Sequence, residues 1–332
     1  MAATLGDRPH AGKRYAGETL EGQPVDLGMR EIRSAAMIVN AKSRKGQKLF
    51  KRACAAMQGL PYEVDARAIE DPDQLEAAVR DVLANKPDLL ILGGGDGTVS
   101  GLVDLMVGHD VVLGVLPLGT ANSFSRTLGI PLTIEGAVEV IRAGHTRRID
   151  LGMIDGDYFA NCAAMGISPQ IAETVPHGLK KLLGKVGYLG WASYQFGRFK
   201  PFTLHVDDGT TKRKMKVVEV RISNGPYHGG TWLVDEASVT SGEIVVQAVR
   251  GHYKRKLVTN WFLSFFGLPQ RHHDTISFAA KEIRVDTEPR MPISIDGEVL
   301  ATTPVVARIA AGVIEVMAPP PPPAPAGATS PA

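Results

Sequence analysis

A chain of 332 residues is long enough for two domains that each bury a core, and 44% hydrophobic with 22% charged residues is the balance of an ordinary globular protein. A formal net charge of +2 gives no overall attraction for nucleic acid, and two cysteines, Cys54 and Cys162, exclude both a disulfide framework and a thiolate zinc site. No basic start leads into an apolar segment and no run approaches the roughly 18 apolar residues of a spanning helix, so a cytoplasmic location is expected.

Residues 1–33 are polar, Gly-rich and aperiodic, and are expected to stay outside the fold. From 34 to 149, apolar runs ("AAMIV", "LLIL", "VVLGVL") alternate with stretches of helical spacing at Lys45 to Met57, Pro72 to Ala84, Thr98 to Val107 and Ile134 to Ala143. Runs that are apolar throughout suit strands covered on both faces, so this half is predicted to be an α/β domain with a parallel sheet flanked by helices. From 150 to 318 the segments are shorter, alternating or β-branched. "TLHVDDGTTKRKMKVVEVRIS" predicts a hairpin, and "EIVVQAV", "TISFAA", "EIRVDT" and "PISIDGEVL" predict further strands of a mostly antiparallel β domain, whose last segment is expected to pack back on the first domain. Residues 319–332 form a Pro/Ala-rich tail that cannot bury enough apolar area to order itself.

Chemistry gathers at the strand ends of the first half. "LLILGGGDGTVSG" runs from a buried strand into Gly93, Gly94, Gly95, Asp96, Gly97 and Thr98, at the edge where open α/β sheets bind ligands. Glycine lets backbone N–H groups approach phosphate oxygens, and a helix from Thr98 would aim its positive end at the same anion. No Lys-Ser/Thr follows, so this is not a P-loop, and Thr98 stands where a dinucleotide fingerprint needs glycine. A carboxylate such as Asp96 beside phosphate requires a Mg²⁺ or a hydroxyl proton between them. Two neighbouring strands end alike: one in Asn40, Lys42 and Ser43, the other in Gly119, Thr120 and Asn122, with Arg126 a turn later.

These residues resemble the lipid kinases related to diacylglycerol kinase and sphingosine kinase. Gly94-Gly95-Asp96-Gly97-Thr98 is similar to that family's nucleotide loop, and "PLGTANSFSR" to its Pro-x-Gly-Thr-x-Asn-Asp-x-Ala-Arg element. "SNGPYHGG" resembles its Asn-Gly-x-x-x-Gly-Gly turn, and Ile295-Asp296-Gly297-Glu298 its late Ile-Asp-Gly-Glu. The chain departs from the pattern at Ala41, Arg44, Ser123 and Ser241, the last in a region that holds a structural Mg²⁺ in some bacterial relatives. The resemblance implies an α/β domain joined to a β-sandwich, with ATP and Mg²⁺ in the cleft between them. It implies phosphoryl transfer to a primary hydroxyl of a membrane lipid, either diacylglycerol or a sphingoid lipid such as ceramide. Asp296 is then the first choice for the general base, Asp96 the competing one, and Asp96 with Glu298 would serve the metal.

A lipid acceptor calls for a membrane-facing surface. Lys180, Lys181, Lys185 and Trp191 lie in an acid-free stretch from Thr174 to Val206, and Lys254, Arg255, Lys256, Trp261, Phe262 and Phe265 lie in a second basic, aromatic stretch. Basic and aromatic residues together suit an anionic membrane surface, and would make the protein peripheral at the inner membrane. Both stretches read equally well as amphipathic helices packed on the β domain. A soluble NAD-kinase-like enzyme and a non-catalytic lipid-binding relative are the competing classes. Edge strands in the β half could also pair two subunits.

Overall fold

The computed structural model describes residues 27–167, 199–250, 275–295 and 298–320. In the first half, β1 (Leu27–Met29) is followed by β2 (Ala35–Asn40), α1 (Arg44–Ala56), β3 (Val64–Ile69), α2 (Leu75–Ala84), β4 (Leu89–Gly94), α3 (Asp96–Val103), β5 (Val112–Pro117), α4 (Ser123–Leu128) and α5 (Ile134–Ala143). Strands β3, β2, β4 and β5 lie side by side, all parallel. Leu89 to Leu92 are fully buried, as expected of a strand covered by helices on both faces.

The second half continues with β6 (His145–Ile154), β7 (Asp157–Phe159), β8 (Cys162–Gly166), β9 (Phe202–Asp207), β10 (Lys212–Ser223), β11 (Tyr227–His228), β12 (Thr231–Trp232), β13 (Ile244–Arg250), β14 (Thr275–Ala280), β15 (Glu282–Glu288), β16 (Pro292–Ile295), β17 (Glu298–Thr302) and β18 (Val305–Met317). Except where β18 meets β5, its ladders are antiparallel, and β9–β10 is the hairpin predicted around Asp208-Gly209. A second core fills this half, centred on Leu204, Val218, Val220, Val246, Ile283 and Val285.

β18 joins the two halves. Its first part pairs with β15 and its last part runs parallel to β5 through Glu315↔Val112 and Val316↔Leu113. It also pairs with β6 along most of its length, with a register shift between Ala310 and Ile314 where Gly312 takes φ 60°. β6 itself straddles residue 150, so a boundary at 149/150 cuts a continuous strand.

The extension expected at 1–33 is shorter than that. Leu27–Met29 pair with β6, Arg30 meets Asp110 at 2.7 Å, and Asp88 accepts from the backbone N–H of Arg33 and Ser34, both at 2.9 Å. These backbone hydrogen bonds hold Asp88 below the usual carboxylate range. A polar segment can thus be ordered by sheet pairing and one capping carboxylate, neither of which shows as hydrophobic periodicity.

Candidate active site

The three strand-end loops converge at one edge of the parallel sheet. β4 runs to Gly94, Gly95 caps the next helix, and α3 begins at Asp96, two residues earlier than the expected start at Thr98. Val99 N–H bonds back to Gly95 O at 3.1 Å, so the N–H groups of Asp96, Gly97 and Thr98 form the first turn, where a helix offers its own donors no partner. Those donors and the positive helix end are what a phosphate group needs.

The second loop is fastened to the first. Leu118 N–H donates to Gly94 O at 2.9 Å. Asn122, in the left-handed region at φ 48°, turns its side chain back to accept from Gly119 N–H at 2.9 Å and donate to Gly119 O at 3.1 Å. It therefore does not cap α4. The cap comes from across the site: Asp96 Oδ1 accepts from Phe124 N–H at 3.1 Å. Arg126 Nε donates to Ala121 O at 2.9 Å, and Thr120 is exposed beside it. In the third loop, Asn40 Nδ2 donates to Thr98 Oγ1 at 3.1 Å. Ser43 accepts from Gly46 N–H at 3.1 Å as the cap of α1, a role that accounts for a serine there without a nucleotide.

Close approach of the loops explains most of the glycines. A Cβ on Gly93 would lie 2.7 Å from Val39, one on Gly94 2.5 Å from Thr98, and one on Gly119 2.6 Å from the Cα of Gly95. Protein packing by itself requires bare backbone at these positions. Gly97 and Gly101, both in α3, are different: each is exposed, and a Cβ there would meet nothing within 4 Å outside its own helix, but only Gly97 stands in the first turn. A glycine inside a helix costs roughly 0.5–1 kcal/mol relative to alanine, and the surrounding protein gives no reason for it.

The β half closes the other side. Gly230 N–H donates to Ser123 Oγ at 2.9 Å, so the serine that departs from the family pattern still anchors the turn of "SNGPYHGG". Thr127 Oγ1 donates to Asn161 Oδ1 at 3.0 Å, Asn161 Nδ2 donates to Tyr227 O, and Asn224 Nδ2 donates to Asp150 O and Ala160 O. Asn161 gave no signal in the sequence, since a lone Asn before a strand is unremarkable.

His228 was also missed. Its Nδ1 lies 3.6 Å from the buried Cys162 Sγ, which accepts from Ser223 Oγ at 3.3 Å. Burial, with the charge of Arg221 second, pushes the imidazole below its ordinary value of 6.5, while Glu219 and Asp96 pull it upward. A histidine held neutral by the fold protonates more readily in the unfolded chain, so its contribution is intact above 6.5 and is lost as pH falls below that. Thermal melts between pH 8 and pH 5.5 should therefore show an acid-side loss in the wild type that is reduced in His228→Gln. An identical loss in both would remove His228 as the cause.

Several expected site residues lie outside the described residues: Asp296 and all ten basic and aromatic membrane candidates, from Lys180 to Phe265. For Glu298 only the backbone is described, pairing with Ile295. Ile295 also pairs with Ala163, so β16 runs alongside β8 and ends one residue from Cys162 in register. Among the described residues no group of three His, Cys, Asp or Glu could hold a metal. At Ser241 the loop closes on itself, with Ser241 Oγ donating to Ser238 O at 2.9 Å and Gly242 N–H donating to Asp150 Oδ2 at 2.7 Å.

Comparison with known proteins places this fold and loop arrangement in the lipid-kinase class. Residues 34–154 match the diacylglycerol kinase catalytic domain, and residues 161–318 match the YegS C-terminal NAD kinase beta sandwich-like domain. A diacylglycerol kinase of Staphylococcus epidermidis is 30% identical over 272 residues, covering 80% of this chain and 85% of its own. One from Staphylococcus aureus is 29% identical over 271 residues, with the same coverages. The chain belongs to the diacylglycerol kinase family. A solved diacylglycerol kinase structure from Bacillus anthracis str. Sterne has the same fold, with a TM-score of 0.66 at 21% identity over 88% of this chain and 98% of that one. Among the described residues no helix is long and apolar enough to cross a membrane.

Proposed function

We propose that the protein transfers the γ-phosphoryl group of ATP to the primary hydroxyl of a diacylglycerol-type membrane lipid. The observation that carries the reading is Gly97, exposed in open space at the first turn of α3, between Asp96 and the Thr98 that Asn40 holds. The free N–H groups of that turn would hold phosphate oxygens, and Asp96 would face them through a Mg²⁺, which supplies charge neutralisation when bound. Asn40 ties its loop to Thr98, Leu118 N–H ties the second loop to Gly94, and Asn122 braces that second loop on Gly119, so the phosphate groups would be positioned without reorganisation at the moment of transfer.

Asp296 follows the end of β16 and is proposed to take the proton of the acceptor hydroxyl, with Glu298 next to it. The segments holding Lys180 to Trp191 and Lys254 to Phe265 are proposed to face an anionic membrane, which sedimentation with anionic vesicles tests. The reaction itself is tested by incubating the protein with γ-labelled ATP and, in separate tubes, diacylglycerol, ceramide, sphingosine and NAD. Label in an organic-soluble product from diacylglycerol supports the reading. Label on NAD alone, or none, would overturn it.

A further inference from the structure

One face of β10 is polar where a sheet interior is normally apolar. Glu219, Arg221 and Ser223 alternate with Val218, Val220 and Ile222, so they share a side, and across that side Arg221 pairs with Ala164 of β8 and Gln247 of β13. This face is not in water: Glu219 is 1% exposed, Gln247 2% and Arg221 5%. Arg221 Nη2 lies 2.5 Å from Glu219 Oε1, and Nη1 donates to Gln247 Oε1 at 2.8 Å. Its Nε, buried, has no hydrogen-bond partner among the described residues.

Stability does not account for this arrangement. A buried ion pair seldom stabilises more than apolar residues of the same volume, and a buried N–H left unpaired is a direct cost. An oxygen acceptor that arrives with a ligand would remove that cost. The row also leads towards the site: Ser223 Oγ bonds Cys162 Sγ, Cys162 lies 3.6 Å from His228 Nδ1, and the turn that carries His228 is held to Ser123 through Gly230 N–H.

We infer that Arg221 recognises the acceptor, its Nε–H donating to the acyl carbonyl oxygen next to the hydroxyl that is phosphorylated. The inference rests on the lipid-kinase reading above and deepens it. It selects acylated acceptors: an ester or amide carbonyl satisfies Arg221, whereas a free sphingoid base or an ether lipid leaves it unpaired.

The test compares a diacylglycerol with its diether analogue, which keeps the hydroxyl and both chains but lacks the carbonyls. The wild type should favour the ester by about 10–100-fold in kcat/KM, the worth of a hydrogen bond from a charged donor. The paired substitution Arg221→Met with Glu219→Gln, which avoids stranding a lone carboxylate, should erase that preference while leaving the KM for ATP unchanged. A wild type that phosphorylates both lipids equally overturns the inference and leaves the kinase reading standing, and this arm depends on no variant. A preference that survives the paired substitution also overturns it. If neither lipid is phosphorylated, the kinase reading falls and the inference with it.

Discussion

Asp96→Asn should reduce turnover by at least about 100-fold while leaving the fold intact, the usual size of effect for losing a charged group at the reacting centre. The proposed role of Asp96 in the reaction is separable from its structural one. Oδ1 accepts from Phe124 N–H at 3.1 Å and caps α4, whose own N-cap residue Asn122 is turned towards Gly119. Asparagine keeps an oxygen for that bond and loses only the charge. Asp96→Ala loses both, and should add about 0.5–2 kcal/mol of destabilisation, as expected of a missing cap. Rates and melting curves on the two variants check this together. If Asn and Ala are equally stable, the cap is unimportant; if Asn retains full activity, the carboxylate has no part in the reaction.

Gly119→Ala should be among the most damaging small substitutions in the site. The added methyl would sit 2.6 Å from Gly95 Cα and 2.8 Å from Asn122 Oδ1. The first neighbour is backbone and the second is clamped to Gly119 by two hydrogen bonds, so neither can give way cheaply. Overpacking of this kind costs about 1–3 kcal/mol, or a fall in Tm of several degrees at roughly 2–4 °C per kcal/mol for a chain of this order of size. ATP affinity should fall as well, because the two loops separate. Gly95→Ala, with its Cβ at 3.2 Å from Gly119 Cα, should be milder. The reverse order would mean that the loops do not meet as described.

What the sequence makes legible follows from periodicity. The fully apolar runs at β2, β4 and β5 and the helical spacing of α5 are visible because one pattern holds along the whole element. β18 is hidden because Gly312 and the register shift around it break the two-residue alternation midway. The glycine loop reveals that something approaches the backbone, yet not what: at Gly94 and Gly119 the visitor is the protein itself. The cap that Asp96 lends to Phe124 spans 28 positions and no local pattern records it. "VVEVRIS" has the alternation of a strand with one wet face, and only the packed fold shows Glu219 and Arg221 to be buried.

The nucleotide site is tested most directly by the affinity of Gly97→Ala for Mg-ATP, measured by calorimetry beside its melting curve. A Cβ at residue 97 meets nothing within 4 Å beyond its own stretch of helix, so the fold should be as stable as the wild type or slightly more so. With phosphate seated on that turn, the methyl would occupy its place and affinity should fall about tenfold or more, the equivalent of about 1.4 kcal/mol. Unchanged affinity in a well-folded Gly97→Ala protein would contradict the account.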